Sequence, residues 1–186
     1  PASSLRALPD TVDDTAGALV EPGGNAYRSA EAADVGAGER VLVFGAGTIG
    51  LLAAMFARAR GAEVHLLGRS ERSLTFARSL GFPSAWSDET LPDLPWDAVI
   101  DASNAAQLPA RAVELVEPGR RVVFVGLAGS PSLVDTRALA LADVTGVGIQ
   151  SASPGLDGMI EAYASGAVDP RPLVAATVPL EGVPAI

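Results

Sequence analysis

Gly45, Gly47 and Gly50 stand in the run Gly45-Ala46-Gly47-Thr48-Ile49-Gly50, which follows the apolar residues 41–44 and opens an Ala/Leu-rich helical pattern. This spacing suits an anion held by main-chain amides. Gly45 can take the backbone angles of a sharp strand-to-helix turn. Gly47 leaves room for a diphosphate to approach the main chain, and Gly50 lets the new helix pack closely on the strand before it. The N–H groups near Thr48 and Ile49 would face the phosphates at the positive end of the helix dipole. A glycine pattern alone is weak. Here a second apolar run, residues 64–67, follows at the distance a strand-turn-helix-strand unit requires, so the expectation is a dinucleotide site.

The end of that second strand bears on which dinucleotide. A carboxylate about 20 residues past the glycines would accept hydrogen bonds from ribose hydroxyls. Gly68 holds that place, followed by Arg69, Ser70 and Arg72. Without a carboxylate there is nothing to repel a 2′-phosphate, and arginine offers it a charge-assisted partner. The pattern favours NADP(H) over NAD(H). The alternative is that Ser70 caps a helix starting near Glu71 while both arginines are solvated, and Ser70 could serve both roles.

These residues need a scaffold, and the rest of the chain supplies its outline. Strands are expected at about 40–45, 63–68, 84–86, 98–102, 121–125 and 144–149. Helices are expected near 13–19, 26–34, 48–60, 71–80, 105–116, 133–141 and 154–165, with Gly61 and Gly81 closing two of them. Residues 88–95 read as a polar loop, Pro118-Gly119 as a turn and 169–186 as an irregular tail. Short apolar strands alternating with helices imply an α/β fold: a Rossmann-type, doubly wound parallel sheet of six strands. The expected order is 3-2-1-4-5-6, with ligand at the carboxyl ends.

Composition narrows the partners. A hydrophobic fraction of 48% over 186 residues supports a sizeable core, and the net charge of −9 argues against nucleic acid or an anionic membrane. There is no cysteine, hence no disulfide framework and no cysteine-based zinc site. Residues 41–57 are uncharged, but the glycine turn among them favours strand plus helix over a membrane span. No signal peptide is evident, and a cytoplasmic location is expected.

The motifs resemble the medium-chain dehydrogenase/reductase family, especially its zinc-dependent polyol and threonine dehydrogenase-like branch. The matching pieces are Gly17-Ala18-Leu19-Val20-Glu21-Pro22, the run from Val41 through the glycine turn to Leu52, and Asp97-Ala98-Val99-Ile100-Asp101-Ala102-Ser103. Further on come Glu117-Pro118-Gly119-Arg120-Arg121-Val122-Val123-Phe124-Val125-Gly126 and Leu180-Glu181-Gly182-Val183-Pro184. The resemblance implies the cofactor-binding domain of an alcohol or polyol dehydrogenase, in which hydride passes between an alcohol carbon and nicotinamide. It implies residues 26–168 as that domain, with 1–25 and 169–186 as short remnants of a catalytic domain. The start at Pro1 and the end at Ile186 are then those of an excised piece, which binds cofactor without turning over a small-molecule alcohol or carbonyl substrate.

By the same resemblance, Ser103 and Asn104, Val125 and Gly126, and Gly148 end strands that face the nicotinamide half. Glu21 matches a glutamate at or beside the family's zinc, and Gly23-Gly24-Asn25 depart from the usual residues after it. One carboxylate cannot hold the metal alone, so zinc is implied only for a longer parent; otherwise Glu21 is a solvated or helix-capping residue. A homodimer through the sixth-strand edge is also implied. The alternatives are a non-catalytic nucleotide-binding or interaction module and a zinc-independent quinone or enone reductase of the same family. His65, the only histidine, sits inside a strand and reads as structural. Asp97 and Asp101 suggest no paired-carboxylate chemistry. Trp86 and Trp96 read as buried loop anchors, and Ser130, Ser151 and Ser153 lack a nucleophile motif.

Overall fold

The computed structural model describes residues 5–185 and carries one parallel sheet of six strands. These are β1 (Arg40–Phe44), β2 (Glu63–Leu67), β3 (Ala85–Trp86), β4 (Trp96–Asp101), β5 (Val116–Phe124) and β6 (Thr145–Gly148), in the order β3-β2-β1-β4-β5-β6. The helices are α1 (Asp14–Gly17), α2 (Val20–Ala33), α3 (Thr48–Ala59), α4 (Glu71–Ser79), α5 (Leu108–Leu115), α6 (Thr136–Leu141) and α7 (Leu156–Ala164). This is the doubly wound Rossmann arrangement expected from the sequence. The flanking segments 1–25 and 169–186 extend at residues 1–4 and 186 outside the described residues.

Alternation along the central strands explains the layers, because successive side chains point to opposite faces. Val41, Val43, Ala98, Ile100 and Val123 join the core beneath α2, α3, α4 and α7. Leu42, Phe44, Val99 and Val122 join the core beneath α5 and α6. Helices on both faces bury residues 41–44 of β1 and 98–101 of β4, which is why these read as apolar runs. Helix α3 is buried from Gly50 to Ala57, since it lies between the sheet and α2. Both α3 and α4 close with a Schellman pattern: Ala62 N–H reaches the Ala57 carbonyl at 3.1 Å, and Phe82 N–H reaches the Ala77 carbonyl at 3.2 Å.

Several boundaries differ from the expected ones for physical reasons. Helix α2 begins at Val20 and so runs across the 25/26 boundary expected for the domain. Pro22 is tolerated because it lies in the first turn, where its missing N–H is not needed. Gly23-Gly24 stay helical because bulk is excluded there: a Cβ on Gly24 would stand 2.8 Å from the Ala152 Cβ. Strand β5 begins at Val116 rather than after Pro118-Gly119. Trp96 pairs with Val116 and Ala98 with Arg121, so the Pro-Gly turn bulges out of a continuing ladder. Helix α5 starts at Leu108, with residues 102–107 left to the loop after β4. The tail contains two 3-10 turns, Arg171–Leu173 and Leu180–Ala185.

The starts of the strands are tied by charge. Arg120 meets Glu39 Oε1 at 2.8 Å and Asp97 Oδ1 at 2.6 Å, and Asp97 Oδ2 accepts from Arg40 N at 2.9 Å. Asp97 is therefore a structural tie at the amino end of β4. Trp96 is buried as the first residue of β4 rather than as a loop anchor, and Trp86 is only partly buried in β3. Among the described residues no helix is long and apolar enough to cross a membrane.

Candidate dinucleotide-binding site

The sheet order brings the ends of β1 and β4 together, with Phe44 beside Asp101. The chain leaves β1 through Gly45, whose φ of 92° lies in the left-handed region and whose N–H donates to the Leu67 carbonyl at 2.8 Å. A Cβ there would stand 2.9 Å from the Ala102 carbonyl oxygen. Gly47 is the N-cap of α3, has no capping side chain and is exposed; a Cβ on it would meet nothing within 4 Å. The N–H groups of Thr48 and Ile49 follow at the open first turn of α3, where no side chain caps them. Gly50 is buried, and a Cβ on it would fall on the Gly45 carbonyl oxygen. That contact is the close helix-to-strand packing expected from the sequence.

Next to this turn, β2 ends at the buried Gly68, whose N–H donates to the Trp86 carbonyl at 3.0 Å. A Cβ on Gly68 would lie 3.5 Å from the Ala46 Cβ and 2.7 Å from Leu74 Cδ2. The end of β2 thus borders the glycine turn and leaves little space for a side chain. Ser70 is the N-cap of α4: its Oγ accepts from Ser73 N–H at 3.2 Å and donates to Ser73 Oγ at 2.9 Å. Arg69 and Arg72 are exposed. All thirteen basic residues of the chain are arginine. Among the described residues, Arg69, Arg72 and Arg137 are those whose guanidinium has no hydrogen-bond or ion-pair partner. Two of these three flank Ser70.

The loops after β4, β5 and β6 form the other half of this edge. Ser103 N–H donates to Asp101 Oδ1 at 2.9 Å, and the Asp101 carbonyl accepts from both Val125 N–H at 3.0 Å and Gly126 N–H at 2.8 Å. A Cβ on Gly126 would fall on the Ser103 carbonyl oxygen, so the two loops touch through main chain. Asn104 is exposed, and Gly148 ends β6 with nothing within 4 Å of a Cβ position. Asp101, for which the sequence suggested only that it takes no part in paired-carboxylate chemistry, closes β4 beneath these loops. It is 3% exposed, and burial pushes its carboxyl above the usual carboxylate range while hydrogen bonds from Ser103 pull it partly back. The signal in the sequence was an acid closing the apolar run 98–100.

His65, read as structural, is buried in β2. Its Nδ1 accepts from the Trp86 indole N–H at 3.0 Å and its Nε2 lies 2.9 Å from Glu63 Oε1. Glu21 is exposed in the first turn of α2, where its Oε1 accepts from Asn25 Nδ2 at 3.0 Å. No group of three metal-ligating side chains occurs among the described residues. With a single carboxylate at that place, the residues present do not fit a zinc ion. A cleft of about 300 Å³ between α2, α3 and α7, lined in part by Tyr27, Phe56 and Arg60, lies at the other end of α3 from the glycine turn.

A parallel sheet in this order, with a glycine turn and open amides at the head of α3, is the Rossmann arrangement. The sequence pattern of zinc-binding dehydrogenases matches residues 48–165, and the chain belongs to that family. A putative D-xylulose reductase of Agrobacterium fabrum is 28% identical over 201 residues, covering 97% of this chain and 55% of that protein. The alcohol dehydrogenase of Thermus sp. ATN1 superposes with a TM-score of 0.86 at 26% identity, over 97% of this chain and 56% of that one. A short chain alcohol dehydrogenase from Escherichia coli CFT073, complexed with NADH, superposes with a TM-score of 0.91 over 100% of this chain and 58% of that one. At 22% identity it speaks for the fold. The chain spans about half the length of the curated relatives it matches.

Proposed function

We propose that this chain is the cofactor-gripping domain of an NADP(H)-preferring alcohol or polyol dehydrogenase. The single observation that carries the preference is the pair of partnerless guanidinium groups, Arg69 and Arg72, beside a buried Gly68 where a carboxylate would otherwise stand. A 2′-phosphate would supply the missing partner of those arginines, while the neighbouring carboxylate, Glu71, is already paired with Arg78 at 2.7 Å. Ser70 keeps its capping bond to Ser73 N–H and still presents a hydroxyl there.

In this reading the main chain of Gly45, Gly47, Thr48, Ile49 and Gly50 holds the diphosphate, Arg69, Ser70 and Arg72 hold the adenosine phosphate, and Ser103, Asn104, Val125, Gly126 and Gly148 border the nicotinamide half. The bound nicotinamide supplies or accepts the hydride exchanged with a small-molecule alcohol or carbonyl compound. The chain's contribution is orientation: a turn fixed by the Gly45–Leu67 bond and loops fixed through Asp101. The donors a zinc ion needs are not among the described residues.

Fluorescence titration of the chain with NADPH and NADH tests the preference. Arg69→Ala should weaken NADPH by about 10–100-fold, the worth of a hydrogen bond to a charged group, and leave NADH nearly unchanged. Equal affinity of the native chain for both cofactors, or an equal loss for both in the variant, contradicts the assignment.

A further inference from the structure

Asp101 is the one buried carboxylate among the described residues, and no cation accompanies it. Asp97, on the same strand, has Arg120 at 2.6 Å; Asp101, at the other end, has only the neutral Ser103, through its N–H and its hydroxyl. Its strand neighbours are Phe44 of β1 and Phe124 of β5. The residues that follow all three are the crevice loops: Gly45, Ala102 and Val125. A lone negative charge in a low-dielectric wall therefore stands one residue behind the place where the proposed ligand would bring two more.

We propose that the Asp101 carboxylate takes up a proton from solvent when the dinucleotide binds, so that cofactor affinity falls as pH rises. The inference rests on the dinucleotide reading above. The step forms one O–H bond on the carboxylate and breaks none in the protein. The carboxylic acid keeps a carbonyl oxygen that accepts the Ser103 N–H, and the Ser103 hydroxyl, a donor to the carboxylate, can turn to accept the new O–H, so the loop after β4 stays tied in both states. The states then differ in charge, and a like charge nearby favours the neutral one. Burial already pushes this carboxyl upward, and the diphosphate pushes it in the same direction. More protons are held in the complex than in the free protein, so rising pH opposes binding.

Other groups do not set this behaviour. β1 carries Arg40 at its opposite end, bonded to Glu63, and β5 carries Glu117, Arg120 and Arg121 towards its start. On α5, Arg111 pairs with Asp88, and Glu114 is the remaining charge. On α2, Glu21, Tyr27, Arg28 and Glu31 complete the charged and titratable groups of the elements packed on β4. None of them contributes to the environment of the Asp101 carboxyl, where burial and Ser103 are the causes.

Calorimetric titration of the chain with NADH, in buffers of different ionisation enthalpy, measures affinity and proton uptake together. NADH is chosen because it lacks the 2′-phosphate, whose own ionisation falls near pH 6. In the pH window that opens above the ordinary carboxylate value, the native chain should take up protons on binding and lose roughly threefold or more in affinity as pH rises. Asp101→Asn should abolish both effects, whereas His65→Gln, a change at the chain's single histidine, should keep them. Binding without proton uptake overturns the inference and leaves the dinucleotide reading standing. Retention of the uptake in Asp101→Asn, or its loss in His65→Gln, also overturns it. No binding of NADH or NADPH at any pH overturns both. Should Asp101→Asn fail to fold, proton uptake by the native chain and by His65→Gln still decides.

Discussion

The indole of Trp86 can only donate, so its bond to His65 fixes the ring: Nδ1 is the acceptor and Nε2 carries the hydrogen donated to Glu63. That hydrogen bond is the largest influence holding the Glu63 carboxyl below its ordinary value. Replacing His65 by Leu removes the acceptor for a partly buried N–H and should cost about 1–3 kcal/mol of stability, read from the denaturant midpoint. An unchanged midpoint would show that the chain of bonds is idle. Asp101 behaves oppositely to Glu63. Its carboxyl is raised on folding, so its contribution to stability is full below the ordinary carboxylate value and is lost as pH rises through the raised one. Asp101→Asn should therefore gain thermal stability over the native chain above that window and not below it. A melting difference that does not change with pH contradicts the sign. The histidine's structural role was legible from its place inside an apolar run. Asp101 was legible only as an acid closing an apolar run, because nothing in the sequence says which acid at a strand end lies under the neighbouring loops.

Elements meet at this site through main chain rather than side chains. Gly50→Ala sets a methyl group on the Gly45 carbonyl, so α3 must back away from β1. The expected outcome is a loss of about 1–3 kcal/mol together with weakened nucleotide binding. Full retention of both, by melting and titration, would mean that the helix shifts freely. Ser70→Ala removes the α4 cap and should cost about 1 kcal/mol. The two effects separate a packing glycine from a capping serine. The glycine turn and four central strands were legible because buried parallel strands are apolar on both faces. The start of α2 was hidden, since Pro22-Gly23-Gly24 reads as a break until Ala152 and Tyr163 are seen pressing on those glycines. The true start of β5 was hidden for a related reason: Pro118-Gly119 is a turn inside a bulged strand rather than before one.

For the whole molecule, the sheet has two edges of different character. β3 contributes two residues, while β6 pairs with β5 along one side and leaves its other side open. Leu127, Leu133 and Leu141, in the connection between β5 and β6, are 84–88% exposed. An open strand edge, with exposed leucines in the connection leading to it, suits strand addition across a two-fold axis. We expect a dimer in sedimentation equilibrium, dispersed to monomer by Val147→Pro; a native monomer at all accessible concentrations contradicts it. The strand order was legible from alternation of strands and helices, but which edge stays open depends on how little β6 is covered, a property of the assembled sheet. The central claim is that the amides of the turn after β1 hold the dinucleotide's diphosphate. It is tested most directly by following backbone amide resonances during titration with NADPH. Gly47, Thr48 and Ile49 should shift most, together with Arg69 and Ser70; saturable binding that leaves Gly47, Thr48 and Ile49 unmoved would refute the assignment.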